Sequence, residues 1–145
     1  MFENNIGYCR QNIPLTQKEL GKILGVSDST VSGWETAKDT MPLEKMIIFC
    51  NLYNYSLDFL TGLSRKNEKY NRLEKVDMKE VGKKLKELRK NLKMSQTKIA
   101  DECSISQSAY SNYEIGNHLI TSLVIYTLCK NHKLSIDVLL GRKKK

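Results

Sequence analysis

Apolar residues recur at spacings of three and four along most of this chain. Val81, Leu85, Leu88 and Leu92 form one such stripe, and that period marks the buried face of an α-helix. Asp77-Met-Lys-Glu80 just ahead reads as a capping box that opens it. Ser95 is placed to cap a second helix, with Ile99, Ala100 and Cys103 facing inward. Ser104-Ile105-Ser106 reads as a tight turn, after which Ser106 caps a third helix through about Ile115. Gly116-Asn117 then ends that helix in a left-handed cap. A fourth helix, Ser122 to His132, is predicted to bury Leu123, Ile125, Leu128 and Cys129, and a short fifth starts at Ser135 and stops at Gly141. No alternating apolar–polar run or Asn-Gly hairpin signal interrupts the pattern. An all-α protein is predicted.

The same plan occurs earlier in the chain. Residues 2–62 superpose on 81–141 at a constant offset of 79 with no gap, and 12 of the 61 pairs are identical. Arg10 falls on Arg89, Gln17 on Gln96, Ser27 on Ser106, Glu35 on Glu114 and Cys50 on Cys129. Ser56-x-Asp58-x-Leu60-x-Gly62 falls on Ser135-x-Asp137-x-Leu139-x-Gly141. A period near 80 is too long for a solenoid unit, so two copies of one small domain are expected, over residues 1–62 and 78–141. In the first copy Thr16-Gln-Lys-Glu19 is the fuller capping box, and Pro42 suits the first turn of the fourth helix. With few residues ahead of Arg10, its opening helix is expected to be short. Residues 63–77 join the copies without Pro or Gly. They are either a flexible coil or a helical connector supported by Leu63, Tyr70, Leu73 and Val76, with partial helix favoured.

Charge changes the picture. The net value is +8, but residues 1–62 hold 5 Lys+Arg against 7 Asp+Glu, whereas residues 78–145 hold 14 against 6. The positive field therefore belongs to the second copy and to a basic tail, residues 142–145. Such a half suits a polyanion, nucleic acid before an anionic membrane surface, unless it is simply a solvated lysine-rich surface. No run approaches the apolar length of a membrane span and no signal-peptide pattern opens the chain, so a soluble cytoplasmic protein is expected, with no membrane partner. The four cysteines are scattered without a Cys-x-x-Cys pair. Cys129-x-x-His132 is too little for a metal site, and buried structural thiols are expected, with no metal and no cofactor.

Two short helices joined by a three-residue turn, with a polar second member, make a helix-turn-helix. It reads Thr16-Gln-Lys-Glu-Leu-Gly-Lys-Ile-Leu-Gly-Val-Ser-Asp-Ser-Thr-Val-Ser-Gly-Trp-Glu35 in the first copy. In the second it reads Ser95-Gln-Thr-Lys-Ile-Ala-Asp-Glu-Cys-Ser-Ile-Ser-Gln-Ser-Ala-Tyr-Ser-Asn-Tyr-Glu114. Both resemble the Cro/CI-like, or XRE, family of transcriptional regulators over about 120 of the 145 residues. The resemblance implies two tandem five-helix phage-repressor-like domains. It also implies that Arg10 with Glu35, and Arg89 with Glu114, are structural ion pairs between first and third helices rather than DNA contacts.

Position then suggests chemistry. Gln17 and Gln96 sit in the first turn of the second helix, where an amide and free backbone N–H groups can hold a phosphate oxygen. On the second recognition helix the candidate DNA-binding residues are Ser106, Gln107, Ser108, Ser111 and Asn112, with Asn117 just beyond. Gln and Asn can pair bidentately with the N6/N7 edge of adenine; otherwise they are ordinary surface residues. The first copy offers Ser27, Asp28, Ser29, Thr30, Ser32 and Lys38 in the corresponding region. Asp28 would face phosphates, and Gly33 presents nothing to a base edge, so this head is a weaker reader or a dimerisation or partner-binding head.

The leading expectation is a sequence-specific double-stranded DNA-binding regulator, a repressor, with the second head as main reader and either a homodimer or an intrachain pseudo-dimer supplying two heads. The competing expectation is an antitoxin or antagonist whose first head grips another protein through Tyr53, Tyr55 and Phe59. No nucleophile with a matched base and acid accompanies His118 or His132, and no glycine loop cradles a phosphate. An enzyme is not expected.

Overall fold

The computed structural model describes residues 3–145, and ten α-helices form within them. The chain divides into two compact units. The first extends to Arg72 and includes Lys144–Lys145, and the second spans Leu73–Lys143. The first holds α1 (Ile6–Asn12), α2 (Gln17–Leu24), α3 (Asp28–Glu35), α4 (Leu43–Tyr53) and α5 (Leu57–Leu60). The second holds α6 (Met78–Asn91), α7 (Gln96–Glu102), α8 (Gln107–Glu114), α9 (Ser122–His132) and α10 (Ile136–Leu140). Among the described residues there is no strand, only an isolated antiparallel bridge between Tyr70 and Lys144 within the first unit.

Helix starts follow the polar residue that satisfies the first-turn N–H groups. Thr16 and Glu19 form both halves of a capping box on α2. Ser27, Ser56, Ser95, Ser106, Thr121 and Ser135 each accept from the third residue onward. Asp77 accepts from Lys79 N and Glu80 N, but Glu80 turns to Lys83 at 3.3 Å. Pro42 stands one place earlier than expected, as the N-cap residue of α4.

In the first unit Leu20, Val31, Trp34, Phe49 and Leu57 are buried around Cys9 and Cys50. In the second, Leu85, Ile99, Tyr110, Ile125 and Leu128 play that part, with Cys129. Cys103 is only half-buried, and burial pushes its thiol up to about 11. Leu123 departs from expectation. It is 40 % exposed, because the inward face of α9 is Val124, Ile125, Tyr126, Leu128 and Cys129. Leu88 and Leu92 are half-buried.

One close approach fixes how α6 meets α8. A Cβ at Gly82 on α6 would lie 2.2 Å from the carbonyl oxygen of Glu114, so α6 lies directly against the end of α8. The turn into each third helix needs a left-handed residue. Gly25 provides it at φ +73°, while the matching Ser104 adopts φ +57°. A side chain in that region is strained by ~1–2 kcal/mol. Ser104→Gly should therefore raise the second unit's stability by about 0.5–1 kcal/mol after the added chain entropy of glycine. An unchanged or lower urea midpoint would contradict this.

Residues 63–77 contain no helix, contrary to the favoured connector. Ser64 takes up backbone locally, accepting from Lys66 N at 3.2 Å and donating to Lys66 O at 2.8 Å, in competition with helix. Asn67 accepts from Ser56 N at 2.8 Å and donates to Asn54 O at 3.2 Å, where Lys69 also donates. Tyr70 is buried.

Candidate nucleic-acid interface

The centre of the second unit is a carboxylate. Glu114 is 8 % exposed and receives Arg89 Nε at 2.7 Å, Arg89 Nη2 at 3.2 Å and Gln96 Nε2 at 3.0 Å, with the Tyr110 hydroxyl as a further donor. Burial alone would push this carboxyl up, but the bonds from Arg89, Tyr110 and Gln96 together hold it below the usual carboxylate range. Burial and the bond to Glu114 push the Tyr110 hydroxyl up.

Glu114 accepts and cannot donate, so Gln96 must turn its NH2 group towards it. That leaves Gln96 Oε1 as an acceptor, and Gln107 Nε2 donates to it at 2.6 Å. A continuous chain therefore runs from Arg89 through Glu114 and Gln96 to Gln107, the first residue of α8. Gln107 and Ser108 are exposed there, with Ser111 and Asn112 half-buried beside them. Gln107 keeps one amide N–H and its carbonyl oxygen uncommitted to this chain. Asn117 is exposed, its Nδ2 3.5 Å from Asn112 Oδ1. Ser106 has its hydroxyl occupied by Ala109 N, a capping role.

The first unit has the same skeleton with different ends. Arg10 Nε lies 2.5 Å from Glu35 Oε2, and Gln17 Nε2 donates to Glu35 Oε1 at 3.2 Å. The chain stops there, because Asp28 stands where Gln107 does and accepts from Ser29 N at 2.9 Å. Val31 replaces Tyr110. Ser27 is bound to Thr30 N and lies 3.0 Å from the Ser29 hydroxyl. Gly33, which matches Asn112, is buried because Asp39 lies over it. A Cβ at Gly33 would fall 2.8 Å from Asp39 Oδ2, and Asp39 N donates to Gly33 O at 3.0 Å. Ser29, Thr30, Ser32, Gly33, Thr36, Lys38 and Asp39 line an open groove of about 430 Å³ with that carboxylate at its edge.

The supposed basic tail is not free. Arg142 is 5 % exposed and donates from Nη1 to Asp137 at 2.7 Å. Lys144 joins the bridge to Tyr70 and lies 3.9 Å from Glu68. The sequence marked Arg142 as part of a charge run, and only its place five residues after a buried Asp hinted otherwise. Tyr53, Tyr55 and Phe59 are half-buried, and Tyr55 stacks between Phe49 and Phe59, each at 6.0 Å. His132 Nε2 approaches Glu102 at 2.7 Å, and no metal-ligating group occurs among the described residues.

Comparison with known proteins agrees with this geometry unit by unit. Residues 6–60 match the family described as "Helix-turn-helix", and residues 82–144 match the one described as "Helix-turn-helix domain". The chain is a tandem of two Cro/CI-like helix-turn-helix domains. The second domain's match takes in Arg142, consistent with that residue's burial beside α10. A relative named "Uncharacterized HTH-type transcriptional regulator YobD", from Bacillus subtilis (strain 168), is 32 % identical over 64 residues, 44 % of this chain and 57 % of the relative. The chain thus spans little more than half of that relative's length. No solved structure gives a significant match. Among the described residues, no helix of either domain is long and apolar enough to cross a membrane.

Proposed function

We propose that this tandem helix-turn-helix protein is a sequence-specific double-stranded DNA-binding transcriptional regulator, acting as a repressor, with its second domain as the main reader. The supporting observation is the chain ending at Gln107. An amide held by Gln96 keeps one donor and one acceptor for a base edge, the complement of adenine N7 and N6. It stands on an exposed recognition helix in the half of the molecule that carries 14 Lys+Arg against 6 Asp+Glu. The resemblance to a protein named as a transcriptional regulator points the same way. Repression needs only occupancy of an operator, which this surface can supply.

In this reading Gln107, Ser108, Ser111 and Asn112 meet bases, while Gln96 and the N–H groups at the start of α7 meet phosphate. Asn117 borders them. The first domain contributes little readout, because Asp39 occupies the space over Gly33 and Asp28 repels phosphate. Gln17, Ser29, Thr30, Ser32 and Lys38 are the polar residues it would still offer. Homodimerisation, rather than an intrachain pseudo-dimer, then supplies the two heads that span half-sites about 34 Å apart.

Random-site selection with three full-length proteins tests this. Ser108→Glu places a carboxylate on the second reading face, and Ser29→Glu does the same at the matching place on the first; both positions are exposed. Ser108→Glu should abolish selection, whereas Ser29→Glu should return the parent's motif. The reverse pattern would make the first domain the reader.

A further inference from the structure

We propose that Ile115 reads a thymine by packing on its C5-methyl group in the major groove, an inference that rests on the second domain's DNA reading. Ile115 is the C-cap residue of α8 and keeps helical dihedrals, φ −84° and ψ −5°. The period of α8 therefore extends to it. It stands seven residues after Ser108, two turns along, with Ser111 and Asn112 one turn back. Tyr110, Tyr113 and Glu114 hold the opposite, buried side of the helix. Ile115 is 56 % exposed. The face that carries the hydroxyls and amides of the proposed readout thus ends on an aliphatic side chain.

The fold does not call for an isoleucine there. The matching residue of the first domain is Thr36, whose hydroxyl turns back to Ser32 O at 3.0 Å, so the same helix end forms with a polar residue. Helix propensity does not ask for it either, since β-branched residues lose side-chain freedom in a helix. Single exposed apolar residues are ordinary on a protein surface, and Met78, Leu123 and Val138 are such residues in this domain. None of them lies on α8. Ile115 differs in sharing a line with Ser108 and Asn112, which brings it against DNA wherever those two meet bases.

The chemistry of the groove selects the ligand. Purine N7, guanine O6, thymine O4 and the exocyclic amines are donors or acceptors, and an aliphatic side chain would strip their water without replacing its hydrogen bonds. The C5-methyl of thymine is the apolar feature of that groove, and covering it is favourable. Distance selects the place. Three residues of helix advance ~4.5 Å, a little more than the ~3.4 Å between base pairs. The thymine therefore belongs to the base pair adjoining the one that Asn112 reads. Asn112 itself suits adenine, so the expected site holds two successive A·T pairs.

Random-site selection with the full-length parent and with Asn112→Ala locates the base that Asn112 reads. Deoxyuridine then replaces each thymine of the selected duplex singly, which deletes one methyl group and nothing else. At the thymine of the adjoining base pair the parent should lose about fourfold in affinity, the value of one buried methyl group. Ile115→Ser, at an exposed site, should keep the parent's circular dichroism and bind the thymine and deoxyuridine duplexes equally. Its salt dependence should match the parent's, since no phosphate contact is lost. A parent that selects a motif but binds every deoxyuridine duplex like the thymine one overturns the inference and leaves the DNA reading standing. An Ile115→Ser protein that stays sensitive at the adjoining thymine does the same, because the methyl group then meets another side chain. A parent that selects no motif retires both.

Discussion

Arg89→Ala should destabilise the second domain by about 3–5 kcal/mol, since it strands a buried carboxylate without its cation. Glu114 would keep Gln96 and Tyr110 as donors but lose both bonds from the guanidinium. The Met94 carbonyl would also lose its donor, which lies 3.1 Å away. Domains of this size have only ~5–15 kcal/mol in total, so a large part of the variant's α6 and α8 contact should be lost under mild denaturant. The chain contains an internal control. Its single tryptophan, Trp34, is buried in the first domain, so fluorescence follows that domain while circular dichroism follows both. The shift should appear in circular dichroism, with the Trp34 transition in place. The pH dependence has a definite sign. A carboxyl held below its ordinary range when folded adds stability above that range, and the contribution disappears as pH falls through the lowered value. Acid should therefore weaken the second domain of the parent, and Glu114→Gln should flatten that dependence. An Arg89→Ala protein with the parent's circular-dichroism midpoint would mean that the pair is not structural.

Much of the fold was legible because it is written locally. Caps such as Thr16-x-x-Glu19 and Ser106 act on N–H groups two or three residues away, and the gapless offset of 79 duplicates every such signal. What escaped depends on neighbours distant in sequence. Gly82 reads as a weak point in a helix until the Glu114 backbone is found against it. Gly33 reads as an empty reading position until Asp39 is seen above it. Tyr110 is buried, yet its hydroxyl reaches Glu114. The swap from Val31 to Tyr was the available hint, since a buried Tyr generally finds a partner for its hydroxyl. The connector failed as a helix for a related reason. Its Asn67 finds better partners on the first domain than along its own backbone. Arg142 failed as a tail because a run of four basic residues conceals which one has a buried acid within reach.

Gln107→Ala should relax discrimination at one base position by about 1–3 kcal/mol while leaving the salt dependence of binding unchanged. It removes one amide that carries no charge and faces no phosphate, so counterion release is the same. From position alone, Gln96→Ala would be a uniform weakening, the mark of a backbone contact. The hydrogen-bond chain changes that expectation. Gln96 fixes Gln107 through a 2.6 Å bond as well as standing at the phosphate-facing start of α7. Its loss frees the Gln107 side chain to adopt several rotamers, and ordering one of them again on the DNA costs about 0.5–1.5 kcal/mol. Gln96→Ala should accordingly weaken every duplex and also blunt the preference at the base that Gln107 reads. In the double variant the two specificity losses should fail to add, because the second substitution removes a group that the first had already loosened. Binding of matched and mismatched duplexes by the four proteins measures this directly. Fully additive losses at that base would mean that Gln96 and Gln107 act separately on the DNA, and that the bond between them has no part in recognition.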